Sequence, residues 1–196
     1  MKNVLFVDSC IRGEASRSKK IADSFLNNLS NEYQVKHLDL KSEDLKPLVN
    51  DFFEERQELL EKNELNHPRF HYAHEFASTD IIVIAAPFWD LSFPALLKIY
   101  IENVSVDGIT FQSTSEGLKG LCKATNLYYF TSRGGFYHDS YDDQGTAYIK
   151  CLCSFFGIDN YECVDADGMD VQGFNSNKSL ETACQKAKEL AENLSK

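Results

Sequence analysis

An open parallel β-sheet with helices on both faces is the fold class this sequence predicts, and three observations predict it. Short apolar runs alternate with stretches of helical periodicity along the whole chain. The strongest run, DIIVIAAP, is β-branched and apolar without alternation, as in a strand buried on both faces. The 196 residues suffice for one substantial core but hold only five such runs, too few for an eight-stranded barrel.

The elements follow in order. Residues 3–7 (NVLFV) form an apolar first strand. Residues 16–29 place Ile21, Ala22, Phe25, Leu26 and Leu29 at helical spacing, with Ser16 as N-cap. Residues 33–40 (YQVKHLDL) read as a second strand nearer an edge. Residues 80–87 form the third strand, and 94–104 a helix with Pro94 in its first turn. Residues 124–132 (ATNLYYFTS) make a fourth strand that Gly134 and Gly135 end. A helix over 146–156 is closed by Gly157. A fifth strand covers 161–166, and a long amphipathic helix covers 179–194. Residues 41–79 are long and charge-dense, and Asn66-His67-Pro68 breaks them. One or two surface helices are expected there, with Phe52, Phe53, Leu59 and Leu60 available to pack on the sheet or on a partner subunit. No linker or repeat divides the chain, so residues 1–196 are expected to form a single domain.

Composition narrows the function. Hydrophobic residues make up 43% and charged residues 26%, ordinary values for a globular protein. Twenty Lys and Arg oppose thirty Asp and Glu, and a net charge of −10 repels phosphate backbones, which argues against nucleic acid. The longest apolar run, residues 81–87, is too short to span a bilayer, so no membrane role is expected. The N-terminus opens on a strand rather than a signal peptide, and a cytoplasmic protein is expected. Its six cysteines include no CxxC pair and have no histidine spacing suited to zinc; they read as reduced, mostly buried thiols.

Open sheets of this kind bind ligands beyond the carboxyl ends of their strands. Three loops fall there. Residues 8–18 (DSCIRGEASRS) lead into a helix N-terminus, where free N–H groups favour an anion. Ser9, Ser16 and Ser18 add hydroxyls, and Arg17 adds charge. Neither GxGxxG nor a P-loop is present, so a monophosphate suits the loop better than a pyrophosphate. Residues 87–94 (PFWDLSFP) bring three aromatics between two prolines, apt for a flat ring. Residues 131–138 (TSRGGFYH) contain a Gly-Gly pair whose backbone can approach a polar ring edge. Each loop alone also fits a capped helix or a plain turn. At one sheet edge they describe a phosphate, an apolar ring and a polar ring edge, the outline of flavin mononucleotide (FMN).

With these loops the chain resembles the FMN-dependent NADH azoreductases and NAD(P)H quinone oxidoreductases of the flavodoxin-like fold. VLFVDSCIRGEASRSKKIAD, APFWDLSFPALLKIYIENV, GITFQSTSEGLKGLCKA, TSRGG and SFFGI carry the resemblance. It runs over nearly the whole length and is loosest over 41–79. It implies a flavodoxin-like five-stranded sheet of order 2-1-3-4-5. It assigns the FMN phosphate to Ser9, Ser16, Arg17 and Ser18. Pro87, Phe88, Trp89, Asp90 and Leu91 would lie along the isoalloxazine, and Ser132, Arg133, Gly134 and Gly135 at its pyrimidine side. Phe111 and Phe155 match the family's apolar pocket lining, and Tyr137 and His138 follow the Gly-Gly loop close enough to join a substrate pocket. The resemblance further implies a homodimer with the active site at its interface. Two electrons would pass in a ping-pong cycle from NADH or NADPH to a small aromatic acceptor, a quinone, azo compound or nitroaromatic. The flavin carries that chemistry, so no side-chain catalytic dyad is expected. No basic cluster suited to a 2′-phosphate is evident, which favours NADH.

Many relatives carry Asn where this chain has Asp90. A carboxylate accepts but cannot donate a hydrogen bond to oxidised flavin, so Asp90 is expected to lower the flavin potential. The binding-module alternative is a flavodoxin-type electron carrier without direct NADH oxidation, but its T-x-T-G-x-T phosphate loop is absent. A low-molecular-weight tyrosine phosphatase or arsenate reductase needs five residues between the loop cysteine and its arginine. Here six separate Cys10 from Arg17, so Cys10 reads as a packing residue. A receiver domain needs an Asp after strand three, where this chain has Ala-Ala-Pro. His37, His67, His71 and His74 lack an acidic cluster to complete a metal site and read as surface or interface residues.

Overall fold

The computed structural model describes residues 1–194. In chain order its elements are β1 (Lys2–Asp8), α1 (Arg17–Leu26), β2 (Tyr33–Asp39), α2 (Asn50–Glu61), α3 (His71–Ser78), β3 (Ile81–Ala85), α4 (Ala95–Val104), β4 (Phe111–Thr114), β5 (Gly117–Gly120), β6 (Asn126–Ser132), α5 (Gln144–Phe156), β7 (Asn160–Ala166) and α6 (Ser176–Leu194). Five strands pair in parallel in the order β2-β1-β3-β6-β7. Counted within the sheet alone this is 2-1-3-4-5, the order the family resemblance implies.

Strand periodicity divides the core into two layers. Along β1, Val4 and Phe6 face one side, with Ile21, Ala22 and Phe25 of α1 and Ala183, Ala187 and Ala191 of α6. Leu5 and Val7 face the other, with Phe76 of α3, Tyr100 of α4 and Ile149 and Phe156 of α5. The alanines of α6 recur every four residues, so one stripe of that helix lies close against α1. Each fully buried large side chain contributes roughly 1.5–3 kcal/mol, and both faces of β3 are lined this way.

Caps end the elements where the sequence indicates. Ser16 Oγ accepts the Lys19 N–H at 3.3 Å at the start of α1. Gly157 closes α5 at φ +78°. Pro94 precedes α4 as its N-cap rather than standing within its first turn.

Two regions depart from expectation. Residues 41–79 hold α2 and α3, but α3 is no surface helix: Tyr72, Ala73 and Phe76 are buried, as is Phe70 just before it. Leu59 of α2 is buried in a small satellite cluster with Phe70, Ala73, Val106 and Ile109, whereas Phe53 stays 42% exposed. The second departure is an antiparallel hairpin, β4–β5, that the sequence reading passes over. It leans on the C-terminal end of α5, where Gly120 meets the backbone of Phe156 and Gly157.

All six cysteines are free thiols. Among the described residues no cluster of His, Cys, Asp or Glu could hold a metal ion, and no helix is long and apolar enough to cross a membrane. His71 and His74 instead pair with the backbone carbonyls of Pro68 and Leu65.

Candidate functional site

The carboxyl ends of β1, β3 and β6 bring the three loops together at one edge of the sheet. A cleft of about 100 Å³ opens there, and Ser16, Arg17, Pro87, Phe88, Trp89, Ser132 and Gly134 border it.

Its first wall is the entry to α1. The N–H groups of Arg17 and Ser18 have no partner among the described residues, because the cap serves Lys19 and the Ser16 carbonyl serves Lys20. No acidic side chain lies in that first turn, so the helix end is electropositive and suited to a phosphate. Arg17 stands at the mouth, its Nη1 2.9 Å from Asp170 Oδ1. Both partners are solvent-exposed, so this ion pair is weak and an anion can compete for Arg17.

Ser9 and Ser18 do not line the cleft, although their positions in the first loop suggest it. Ser9 Oγ donates to the Ala85 carbonyl at 3.0 Å, tying the end of β1 to that of β3. Ser18 Oγ meets Ser132 Oγ at 2.9 Å, tying the first loop to the third. Both residues are buried, and they hold up the floor. Cys10 is buried beside them, and burial pushes its thiol up to about 12. It packs as expected and is no thiolate nucleophile.

The second wall is a tight turn. Trp89 and Ser92 exchange backbone hydrogen bonds of 3.0 and 2.8 Å. Asp90 and Leu91 between them adopt φ +49° and +64°. A leucine in that left-handed region costs about 1–2 kcal/mol, and such strain gathers at functional sites. The turn is braced by α5, because the Gln144 N–H donates to the Leu91 carbonyl at 2.9 Å. Trp89 borders the cleft and remains 45% exposed, while Asp90 and Leu91, next in the turn, do not line it and are exposed. The Phe88 ring lies against Tyr137, with centroids 4.7 Å apart.

The third wall is the segment 132–135. The Phe88 N–H donates to the Ser132 carbonyl, and the Arg133 N–H donates to the Ala166 carbonyl. The N–H groups of Gly134 and Gly135 have no partner among the described residues. They are the donors a polar ring edge needs. Arg133 borders the cleft too, but its guanidinium is only 2% exposed and is occupied by carboxylates. His138 likewise turns to Asp165, 3.0 Å away, and not to this cleft.

Phe111 and Phe155 pack on each other with tilted rings, centroids 4.5 Å apart, but not here. The start of α5 touches Ser92 through Gly145, whereas Phe155 lies near the far end of that helix, about 16 Å along it. Met169 and Asp170 border the cleft from the loop after β7. The strand-end rule, applied to the fifth strand as well as to the others, would have included them.

The cleft is far below the roughly 300–1,000 Å³ of a complete small-molecule site. Ile11, Trp89, Leu91 and Phe136 around it are each more than two-fifths exposed. One chain therefore supplies a floor and a rim without a lid.

Comparison with known proteins finds relatives over nearly the whole chain. A family model described as flavodoxin-like fold matches residues 2–191. An FMN-dependent NADH:quinone oxidoreductase of Clostridium perfringens (strain SM101 / Type A) is 38% identical over 195 residues, covering 97% of this chain and 98% of the relative. One from Clostridium beijerinckii is 37% identical over 197 residues, covering 98% of this chain and 100% of that one. Among solved structures, an azoreductase from Bacillus anthracis str. Sterne superposes with a TM-score of 0.88 at 25% identity, covering 98% of this chain and all of that one.

Proposed function

The chain belongs to the flavodoxin-like fold family, and we propose that it is an FMN-dependent NADH oxidoreductase acting on quinones and azo compounds. One observation carries the reading: the unpartnered N-terminus of α1 with Arg17, and the aromatic wall with the free N–H of Gly134, border one cleft, and the free N–H of Gly135 follows directly in the chain. These residues fit FMN. The N–H groups of Arg17 and Ser18, the Ser16 hydroxyl and the Arg17 guanidinium would hold the phosphate. Phe88 and Trp89 would flank the ring, with Asp90 and Leu91 at its rim. Gly134 and Gly135 would donate to its pyrimidine edge. Ser9, Ser18 and Arg133 serve this site by supporting its walls. Bound FMN would accept a hydride from NADH and pass two electrons to the acceptor. The protein's part is to hold the ring flat against Phe88 and Trp89 and to keep the donors in place. NADPH as donor and nitroaromatics as acceptors remain within the same proposal.

Residues 1–196 would form one FMN-binding unit, working in the cytoplasm as its six free thiols favour. A homodimer would complete the site. Support comes from the missing lid, the exposed rim and an apolar groove of about 470 Å³ between α4 and α5. Phe93, Ala147, Tyr148 and Cys151 line that groove, and Ser92 and Gln144 join it to the turn. Phe111 and Phe155 would reach a substrate pocket only as the contribution of the second copy. Gel filtration of the FMN-loaded protein is expected to give twice the chain mass of 22.3 kDa; elution as a monomer would contradict the shared site.

The test of the activity is NADH consumption by the pure FMN-loaded protein with a simple quinone. Consumption dependent on the quinone supports an oxidoreductase. Retained FMN without NADH oxidation would favour the electron carrier. The Asp90 carboxylate gives a further expectation. Asp90→Asn should raise the midpoint potential of the bound flavin, since it removes a negative charge and supplies a donor. Asparagine also tolerates the φ of +49° at this position. An unchanged potential would show that the side chain does not address the ring.

A further inference from the structure

We propose that Arg133 is a positioning residue that holds the Gly134–Gly135 backbone in register for FMN, and that His138 makes this hold pH-dependent. The inference rests on the FMN reading above.

Arg133 adds a side-chain tie at one end of three elements that already pack together, β6, β7 and α5. Nη1 donates to Asp165 Oδ2 at 2.5 Å, at the end of β7, and to Asp167 Oδ1 at 2.9 Å, in the following loop. Nη2 donates to Asp143 Oδ2 at 2.5 Å and to Thr146 Oγ1 at 3.0 Å. Asp143 is also the N-cap of α5, accepting the Thr146 N–H with its other oxygen at 2.9 Å. The α5 terminus that braces the aromatic turn is thus fastened to the Gly-Gly segment through one side chain. The same guanidinium lies 5.8 Å from the centre of the Phe88 ring. Backbone bonds complete the fastening: the N–H groups of Gly168, Met169 and Asp170 donate to the carbonyls of Gly135, Arg133 and Gly134. The carbonyls are thereby fixed on one side, and the N–H groups of Gly134 and Gly135 stay free.

One guanidinium among three carboxylates leaves an excess of negative charge in a nearly closed site. His138 is the group that can offset it. Its Nδ1 lies 3.0 Å from Asp165 Oδ2, and its backbone N–H donates to Asp167 Oδ2 at 2.8 Å. Asp139 in its own loop is 3.5 Å from Nε2 and favours the imidazolium. Arg133 opposes it, and Lys150 of α5 faces the same cavity. The hydrogen bond that His138 donates to Asp165 outweighs the opposing effects of burial and Arg133 and raises the His138 pKa. A histidine raised on folding stabilises fully below its ordinary value of about 6.5, and the contribution fades as pH climbs through the raised value. The loop should therefore hold FMN more loosely at alkaline pH. His138 is two-thirds exposed, so screening limits the effect to about two- to five-fold.

The test is the FMN dissociation constant, read by flavin fluorescence from pH 6.0 to 8.5, for the full chain, His138→Gln and Arg133→Lys. The phosphate itself titrates near pH 6, so the readout is the difference between wild type and His138→Gln. Wild-type Kd is expected to rise about two- to five-fold more than that of His138→Gln across the range. Arg133→Lys should weaken FMN at least about tenfold at every pH, because a single ammonium cannot bridge three carboxylates. Parallel pH profiles for wild type and His138→Gln, or wild-type affinity in Arg133→Lys, would overturn the proposal. Thermal unfolding of the FMN-free proteins gives a second readout: the melting temperature of wild type should fall relative to His138→Gln over the same interval. If that difference holds while wild type binds no FMN at any pH, the FMN reading fails and the His138 link stands. Its absence overturns the link.

Discussion

Arg133→Met is expected to lower stability by about 3–5 kcal/mol. The reason is asymmetry. Asp143, Asp165 and Asp167 converge on a guanidinium that is 2% exposed. Burial opposes the charge on Arg133, yet Asp165, Asp167 and Asp143 together raise its pKa, so attraction wins over desolvation. Methionine fills much of the volume but leaves the three largely buried carboxylates facing one another. For a chain of this length each kcal/mol corresponds to about 2–4 °C in melting temperature, so calorimetry reads the loss easily. Adding Asp165→Asn and Asp143→Asn should recover part of it, since the damage comes from unpaired charge. A loss below about 1 kcal/mol would mean that the network contributes little net energy, as exposed ion pairs do.

Gly120→Val is expected to cost about 2–4 kcal/mol through backbone collision. A β-carbon at Gly120 would lie 2.0 Å from the Gly157 nitrogen and 2.1 Å from the Phe156 carbonyl carbon. No rotamer relieves that contact, so the β4–β5 hairpin must move off the end of α5. Gly157 has its own reason to be glycine, the φ of +78° that closes the helix. The two positions thus form a backbone-on-backbone contact beside the Phe111–Phe155 pair. A melting temperature for Gly120→Val within a degree of wild type would contradict this packing.

Much of the fold is legible because its strands are buried on both faces. DIIVIAAP, NVLFV and NLYYF need no tertiary information to be read as strands. The hairpin escapes because FQST and GLKG are mostly polar and exposed, so neither period nor hydrophobicity marks them. Helix α3 is misread as a surface element because His71, His74 and Glu75 interrupt Tyr72, Ala73 and Phe76, which nevertheless point inward together. In the site, the three loops are recovered and the directions of their side chains are not. A serine after a strand offers a hydroxyl to a ligand or to a neighbouring loop, and Ser9 and Ser18 take the second course. Arg133 beside a Gly-Gly pair suggests a ligand contact. Its partners Asp165 and Asp167 lie 32 and 34 residues away, and only the parallel pairing of β6 with β7 brings them near. The alternation in VDAD at a strand end is the one signal that two carboxylates share a face.

A visible spectrum of the purified protein distinguishes an FMN oxidoreductase built on this cleft from a protein that does not hold the flavin. The purified protein is incubated with FMN, desalted, scanned in the visible range, and scanned again after NADH is added without air. Flavin bands that survive desalting and bleach with NADH are the expected result. Loss of all flavin on desalting would contradict the oxidoreductase reading, because the α1 terminus, the aromatic wall and the Gly134 donor would then border a cleft that does not hold FMN.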